Sequence, residues 1–438
     1  MTAHDLLDRQ RTQVLRQALE HVDGRQPLLV LKAPPGSGKT YIVMRTVVLA
    51  WHRRQRVAVA TRTNAQADEL CERLGREFPR IPVIRWASDT LDRAHLGPRI
   101  DWTTDGEEVA AHATCIVVAT STKWATANAP GAFDVMVLDE AWQISWAEFL
   151  PFGSVAARFI LVGDPGQIAP VVSVDVARWE TTRRPPHRAA PEVILADRHL
   201  SPRVLSLPVT TRLPHDTAEL VQSFYDFPFT SWARPGERSV HLTRPRRLDP
   251  LDRSLAPLAR GSVALRTLPT PAAGPPPDDD LELAAEAASV VCRLLSRQAT
   301  AHIDGRKFTV CPEDIGITAT HRAMNARIEA ALGPLAVRVR VDTPERWQGL
   351  ERLVMVAVHP LSSVVRPSAF DLDTGRLCVM TSRHRVGLVV VSRDHVGDTL
   401  ARSAPSAEQA VGCRDEAGRG HARNRQAWAW LQARQATA

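Results

Sequence analysis

Lys39 follows Gly36, Ser37 and Gly38 and precedes Thr40 in the stretch LLVLKAPPGSGKTYIVMRTVV. The pattern is GxxxxGK[ST], with Ala33 standing where the first glycine would be. Glycines let backbone N–H groups turn inward around phosphate oxygens, and a helix opening at Gly38 adds the positive end of its dipole. A lysine in this place reaches the β- and γ-phosphates of a nucleotide, and the threonine hydroxyl ligates Mg²⁺. Pro35, Gly36, Ser37, Gly38, Lys39 and Thr40 are therefore candidate ATP-binding residues. The methyl of Ala33, at the exit from the strand, is expected to be tolerated. A second stretch, FDVMVLDEAWQIS, delivers Asp139 and Glu140 at the end of an apolar run. Asp139 suits a Mg²⁺ held through water, and Glu140 suits polarisation of an attacking water. A third, FILVGDPGQIAPVV, ends a strand at Gly163–Asp164 and places Gln167 in a tight turn. An amide there can touch the γ-phosphate and report its loss, although Asp-Pro-Gly is also an ordinary turn.

These groups need strands to aim them. The runs Leu28–Leu31, Val57–Ala60, Ile116–Ala119, Val135–Leu138 and Phe159–Val162 are short, apolar and partly β-branched, as buried parallel strands are. Helical patterns such as Asn64–Leu74 lie between them, the alternation of a doubly wound α/β sheet. Trp179–Pro191 is rich in Pro and Arg and reads as an exposed connector. A second α/β set follows, with strand candidates at Ser239–Leu242, Ile315–Ala319, Val337–Val341, Leu353–Val358 and Gly387–Val391 and an amphipathic helix at Leu281–Leu295. The stretch LPTPAAGPPPDDD (268–280) reads as an extended surface loop. The tail, from about Thr399, is polar and ends in a helical pattern carrying Trp428, Trp430 and Leu431.

The chain has 438 residues, 44% hydrophobic and 24% charged, enough for two or three ordinary globular domains. No apolar run is long enough for a membrane span, and the polar Met1–Arg11 is not a secretory signal. The cysteines, Cys71, Cys115, Cys292, Cys311, Cys378 and Cys413, form no CxxC pair, which argues against a zinc ribbon or redox motif. Scattered thiols suit a reducing cytoplasm. The net charge of +7 points to a polyanionic partner, although the arginine bias also suits a GC-rich genome. Lys32, Lys39, Lys123 and Lys307 are the only lysines among 55 basic residues, so Lys39 stands out by its type as well as its place.

The P-loop, DEAxQ and GDxxQ-x-x-P in this order resemble superfamily 1 helicases. The resemblance is to the 5′→3′ branch, superfamily 1B, which includes the nonsense-mediated-decay RNA helicase and the eukaryotic replication helicase-nuclease. It runs from about Gln10 to Val391, and the other motifs follow in order. Gln10, in DRQRTQVLRQAL, matches the family's adenine-reading glutamine; an exposed helical glutamine is the plainer reading. VAVATRTNAQADEL and CIVVATSTKWA resemble strand-binding motifs, which assigns Thr61, Thr63, Asn64, Thr120, Ser121 and Lys123 to the nucleic-acid backbone. Trp124 is either a base-stacking ring or a core tryptophan. SLPVTTRLPHDTAEL puts the family's first second-domain arginine on Arg212, with Arg198 and Arg203 as competitors. EDIGITATHRAMNARI resembles a further nucleic-acid motif, with His321 and Met324 departing from its pattern. VRVDTPERWQGLERLVMV implies that Gln348 and Gly349 couple nucleic acid to nucleotide, that Glu351 binds the ribose, and that Trp347 packs. GRLCVMTSRHRVGLVVV puts an arginine finger on Arg383, with His384 in place of a small residue.

The resemblance implies two tandem RecA-like P-loop domains with parallel sheets and a nucleotide cleft between them. The expected division is 1–190 (P-loop, DEAxQ, GDxxQ), 191–400 (arginine fingers, QG motif) and a helical tail, 401–438. Lys39, Asp139, Glu140, Gln167, Arg212 and Arg383 would be catalytic. Thr40 and Asp139 would hold Mg²⁺. Thr61, Thr63, Asn64, Thr120, Ser121, Lys123 and Gln348 would bind nucleic acid. The implied activity is ATP hydrolysis driving 5′→3′ movement on single-stranded nucleic acid, DNA before RNA, in the cytoplasm and without a membrane. The family's large inserts find no room in this core, and no nuclease motif uses any of the four lysines. Two further readings stay open: a nucleic-acid-stimulated ATPase switch in a larger defence or mobile-element complex, and a P-loop protein of another class, such as a small-molecule kinase.

Overall fold

The short apolar runs do become strands, and their order in the sheet decides which loops share an edge. The computed structural model describes residues 3–88, 96–128, 131–172, 174–243, 249–275, 279–402 and 416–436. Residues 276–278 of the proline-rich loop and Cys413 with the tail segment 403–415 lie outside them. The chain divides into two units, Met1–Pro165 with Ala169–Pro208, and Gly166–Ile168 with Val209–Ala438.

In the first unit the order is α1 (Ala3–Asp23), β1 (Leu28–Lys32), α2 (Lys39–His52), β2 (Val57–Thr61), α3 (Asn64–Glu77), β3 (Val83–Trp86) and β4 (Asp101–Thr103). Then come α4 (Gly106–Ala111), β5 (Ile116–Thr120), α5 (Ser121–Thr126), β6 (Phe133–Leu138), α6 (Trp146–Phe149), β7 (Ala156–Gly163), α7 (Ala190–Ala196) and β8 (Arg203–Ser206). Among the described residues the strands form one sheet in the order β4-β3-β5-β2-β6-β7-β1-β8. Every neighbouring pair is parallel. Alternate side chains feed two cores: Leu29 and Leu31 of β1 join one, Leu28 and Val30 the other. A parallel sheet covered on both faces is what near-continuous apolar strands require.

The Pro- and Arg-rich stretch is not a link between units. It folds back onto the first one: Trp146 N–H donates to Arg188 O (2.7 Å), Ala147 N–H to Pro186 O (2.9 Å), and Arg183 pairs with the buried Asp197 (2.7 Å). The boundary expected at 190 therefore falls at Pro208, because β8 pairs in the first sheet and α7 packs into its core.

The second unit runs β9 (Val209–Thr210), α8 (His215–Gln222), β10 (Thr230–Ser231), β11 (Ser239–His241), α9 (Pro250–Leu255), β12 (Val263–Leu268), α10 (Leu281–Ser296), β13 (Thr300–Ile303) and β14 (Arg306–Thr309). It continues with β15 (Ile315–Thr318), α11 (Arg322–Leu332), β16 (Arg340–Asp342), α12 (Pro344–Trp347), β17 (Arg352–Val358), α13 (Thr374–Thr381), β18 (His384–Arg393), α14 (Val396–Arg402) and α15 (Glu416–Ala436). Its main sheet, β12-β18-β17-β15-β16, is again parallel. The strand expected at Ser239–Leu242 lies elsewhere, in an antiparallel sheet, β11-β13-β14. The strand expected from Val337 begins only at Arg340, because Val337 is almost fully exposed in a 3₁₀ turn.

The tail helix is part of this unit rather than an appendage. Ala427, Trp428 and Leu431 of α15 join the core that holds Leu361, Leu377 and Leu388. The Trp428 ring meets His359 edge-on, with centroids 5.2 Å apart. No helix among the described residues is long and apolar enough to cross a membrane. Trp428→Ala is expected to lower the urea-unfolding free energy by about 3–5 kcal/mol, the usual loss for a buried aromatic. A change below about 1 kcal/mol would mean that α15 does not share that core.

Candidate functional site

Because the first sheet is parallel, the ends of β1, β2, β5, β6 and β7 lie along one edge. Lys32 is in register with Gly163, Leu138 with Leu161, Ala60 with Leu138, and Thr61 with Thr120. The carboxyl edge of an open α/β sheet is where such folds gather ligand-binding groups. The loop after β1 and the Asp139–Glu140 pair after β6 open there, beside Gly163 of the third motif.

The loop after β1 is shaped by its glycines. Ala33 N–H donates to Gly163 O (2.8 Å) as the chain leaves the sheet, and the Ala33 methyl is fully buried. Gly36 and Gly38 sit at φ 69° and 88°, a left-handed region that disfavours side chains. Gly38 then caps α2, accepting from Ile42 N–H (3.2 Å). The first N–H groups of a helix have no partner inside it. Ser37 Oγ is buried with no hydrogen-bond partner among the described residues. Left-handed glycines, open N–H groups and a dry hydroxyl together form a cradle that a polyphosphate satisfies.

Lys39, the first residue of α2, lies 3.0 Å from Glu140 Oε1 and 3.1 Å from Oε2. The carboxylate comes from the end of β6, where Asp139 N–H donates to Ala60 O (2.9 Å) and Asp139 Oδ1 accepts from Glu140 N–H (2.9 Å). Glu140 itself is left-handed, at φ 51° and ψ 42°. Such a conformation in a residue other than glycine costs about 1–3 kcal/mol and persists where the surroundings impose it. Part of that imposition is steric: a side chain on Gly163 of β7 would come within 2.9 Å of Ala141 N and of the Trp142 ring. Burial and the neighbouring Glu140 push the Asp139 carboxyl up to about 7, against the pull of Lys39.

Among the described residues no cluster of three or more His, Cys, Asp or Glu is placed to hold a metal. Mg²⁺ needs no such cage, since one or two protein oxygens with substrate phosphates and water suffice. Thr40 follows Lys39 and Asp139 precedes Glu140, so the ion pair brings these two ligand candidates to the same edge.

The strand-binding candidates of the first unit follow β2 and β5 at this edge, but several already have structural work. Thr61 is buried and its hydroxyl donates to Thr63 O (3.2 Å). Thr63 caps α3 through a reciprocal pair with Gln66. Asn64 Oδ1 accepts from the buried Arg85 (2.8 Å). Thr120 caps α5, and Ser121 is buried. Lys123 Nζ lies 4.8 Å from the Trp86 ring centroid and 3.4 Å from Thr104 O. Trp124 is a core residue: it is buried, donates from Nε1 to Val59 O (2.9 Å) and packs edge-on against Trp86 and Phe133. Gln10 is exposed on α1. The next residue, Arg11, lies over Tyr41, which itself follows Thr40 (5.5 Å).

Gln167 belongs with the second unit, not with the first as its motif suggested. Gly166 fits only because it has no side chain, since a Cβ there would strike Tyr225 at 2.3 Å. Ile168 joins the core of Leu213, Phe224 and Leu377.

Arg212, also of the second unit, pairs through Nε with Glu351 (2.7 Å), which Arg385 approaches at 3.8 Å. Of its competitors, Arg203 is taken by β8 of the first unit, where it meets Glu20 (3.4 Å). Arg383 is buried just ahead of β18, its carbonyl accepting from Arg352 N–H (2.9 Å). Glu351 and Arg383 thus stand together at the amino edge of the second sheet, where Arg352 and His384 are in register. Gln348 Nε2 is buried with no partner among the described residues, and Trp347 packs, donating to Ile317 O (3.0 Å).

Sequence reasoning missed the buried chain from His384 through Thr217 and Ser262 to Asp216. Only His384 carried a signal, as a departure from its motif.

Residues 7–185 match the family profile described as AAA domain. No curated protein matches the chain. Among solved structures, the chain is similar to the arterivirus nonstructural protein 10 helicase, at 14% identity and TM-score 0.46, over 89% of this chain and 63% of that one. It is similar to the PRRSV helicase at 14% identity and TM-score 0.43, over 88% and 55%. It is similar to the DUF1998 helicase MrfA bound to DNA at 12% identity and TM-score 0.47, over 90% and 52%. The chain thus spans between half and two thirds of the length of these helicases.

The raised Asp139 carboxyl has a consequence for stability. The folded chain keeps this proton up to about pH 7, whereas the unfolded chain releases it near 3.8, so stability falls as pH rises between those values and stays lower above them. Asp139→Asn removes the penalty. Its thermal midpoint without ligand is expected to exceed the parent's by roughly 2–4 °C at pH 8 and to match it near pH 4. Scanning calorimetry at both pH values decides; an equal or lower midpoint at pH 8 would show that the carboxylate is not penalised.

Proposed function

We propose that this chain is an ATP-driven translocase or helicase on single-stranded nucleic acid, hydrolysing ATP to ADP and phosphate. The observation that carries the reading is the Lys39–Glu140 pair at the mouth of the glycine loop. The pair stores the two charges the reaction needs in a mutually neutralised form. A triphosphate entering the cradle offers Lys39 a stronger partner and takes it from Glu140. The released carboxylate then orients and polarises the water that attacks the γ-phosphorus in line. The backbone N–H groups of the loop and the Ser37 hydroxyl hold the phosphate oxygens meanwhile. Thr40 and Asp139 are the residues that would hold Mg²⁺, Asp139 through water. Bound there, the ion would supply positive charge to the phosphates.

Arg212 and Arg383 are assigned the charge that develops on the transferred phosphoryl group, Gln167 the sensing of its presence, Gln10 the adenine and Glu351 the ribose. The similarity of residues 7–185 to AAA domains supports the nucleotide half of this reading. The order of the later motifs supports the nucleic-acid half. Thr61, Thr63, Asn64, Thr120, Ser121, Lys123 and Gln348 are assigned to the strand, with DNA as the substrate and movement 5′→3′. In the first group the side chains that cap helices or hold Arg85 leave backbone N–H groups and helix termini as the more available phosphate contacts.

Lys39→Ala and Glu140→Gln are each expected to abolish ATP hydrolysis stimulated by single strands, and Arg383→Ala to lower kcat by roughly 10³-fold or more. Steady-state ATPase assays with single-stranded DNA, RNA and no nucleic acid check this. Near-parental turnover in Lys39→Ala would defeat the assignment. No stimulation by either polymer would point to another class of P-loop enzyme. Stimulation without opening of a 5′-tailed duplex would leave a translocase or switch rather than an unwinding motor.

A further inference from the structure

His384 sits immediately after Arg383, is fully buried, and has no part in the chemistry proposed above. Its Nε2 lies 2.7 Å from Thr217 Oγ1, which lies 2.7 Å from Ser262 Oγ. Ser262 in turn gives Asp216 two hydrogen bonds, one from its hydroxyl to Oδ1 and one from its N–H to Oδ2 (2.7 Å). The directions follow from counting protons. The Ser262 hydroxyl spends its single proton on the carboxylate, so it can only accept from Thr217. Thr217 has then spent its own proton and can only accept from His384. The imidazole must therefore carry its proton on Nε2. Nδ1 is left bare, buried with no partner among the described residues. Burial and the nearby Arg212 and Arg238 hold the ring neutral, its pKa lowered to about 3.

The relay joins segments far apart in sequence. Asp216 and Thr217 open α8, shortly after Arg212. Ser262 leads into β12, and its carbonyl accepts from Leu388 N–H of β18 (2.7 Å). A side chain on Gly261 would lie 2.6 Å from Asp216 Oδ2, so the carboxylate is wedged against that turn. On the other side of Arg212, the Arg238 guanidinium donates to the carbonyls of Thr211 and Arg212 and is anchored by Asp304 (3.1 Å). The loops bearing Arg212 and Arg383 are thus tied to one another through His384.

We infer that His384 is a positioning residue: held as the Nε2–H tautomer by Thr217, Ser262 and Asp216, it locks the Arg383 loop to the Arg212 loop and so fixes the aim of both guanidinium groups. This rests on the proposed role of the two arginines. A side chain too small to span to Thr217 would cut this tie between the Arg383 loop and α8.

The test uses the full chain with saturating single-stranded nucleic acid. His384→Leu and Thr217→Val are expected to lower kcat by about 10–100-fold with KM for ATP within about twofold, as misaimed catalytic groups do. His384→Gln, which keeps a donor near the Nε2 position, is expected to recover most of that loss. In an Arg383→Ala background the further loss from His384→Leu should shrink below about threefold, because the histidine acts through the arginine. The same loss in both backgrounds, or a raised KM at unchanged kcat, would overturn the inference. Nitrogen NMR of labelled histidine should show His384 protonated at Nε2, and an Nδ1–H tautomer would overturn it independently of activity. An unaltered kcat in Arg383→Ala would remove the arginine assignment and this inference with it. A lowered kcat there beside an unaltered His384→Leu would remove the inference alone.

Discussion

One lysine stands between two adjacent carboxylates and a cradle built for anions. Asp139 and Glu140 follow the same strand, and Lys39 meets Glu140 at 3.0 Å. The pair exists because β1 and β6 run parallel with β7 between them, so that the loops leaving them open at one edge. A left-handed glutamate completes it, turned toward the lysine by a backbone that Gly163 lets close in beneath. Removing either charge leaves the other in a half-dry site, where an uncompensated ion is more costly than in water. The left-handed backbone at Glu140 serves that contact, while burial and Glu140 raise the Asp139 carboxyl beside it.

The second unit handles its charge in another way. Arginine dominates its basic residues, and two of the buried ones are fixed by carboxylates or carbonyls: Arg393 by Asp280 and Glu282, each at 2.8 Å, and Arg238 by Asp304 and two backbone oxygens. A planar guanidinium suits such forked partners, and its pre-organised donors lose less freedom on binding than an ammonium on a flexible stem. Arg212 differs in having a partner, Glu351, that is itself more than a third exposed and approached by a second arginine. A pair so open to solvent is weakly bound. That leaves Arg212 able to exchange partners, while the backbone that carries it stays clamped.

The strands of the first sheet were legible because each is a buried apolar run ending in small or polar residues, and the carboxyl-edge site followed from them. Strands β3 and β8 escaped notice, since Arg85 and Arg203 interrupt the apolar pattern, and β4 because it is three residues that open on the exposed Asp101. Arg85 shows why such a residue can still be interior: it is fully buried, with Asp68 at 2.7 Å and Asn64 at 2.8 Å satisfying its fork. The division at Pro208 was hidden for a related reason, because an arginine-rich stretch looks exposed until Asp197 and the backbone of α6 are seen to claim it. Gln167 shows the converse limit. Its motif is continuous with β7 of the first unit, yet Gly166 and Ile168 pack with Tyr225 and Leu213, residues whose contact no local pattern encodes. The His384 relay was out of reach of local pattern, since it joins positions 216, 217, 262 and 384, of which only His384 is unusual where it stands.

The scarcity of lysine sharpens the assignment of the loop. A chain that uses arginine almost wherever it needs a cation has kept lysine at position 39, where the side chain is only 13% exposed and meets both oxygens of one carboxylate. An arginine could make that forked contact at least as well, so pairing with Glu140 alone does not account for the choice. What an ammonium does and a guanidinium does not is to act as a compact point charge with three rotatable donors, able to leave one oxygen set for another. The left-handed turns at Gly36 and Gly38 draw the loop backbone tightly around the start of α2. The role proposed for position 39, holding a carboxylate at one moment and phosphate oxygens at the next, is one that a compact rotatable charge suits better than a planar fork.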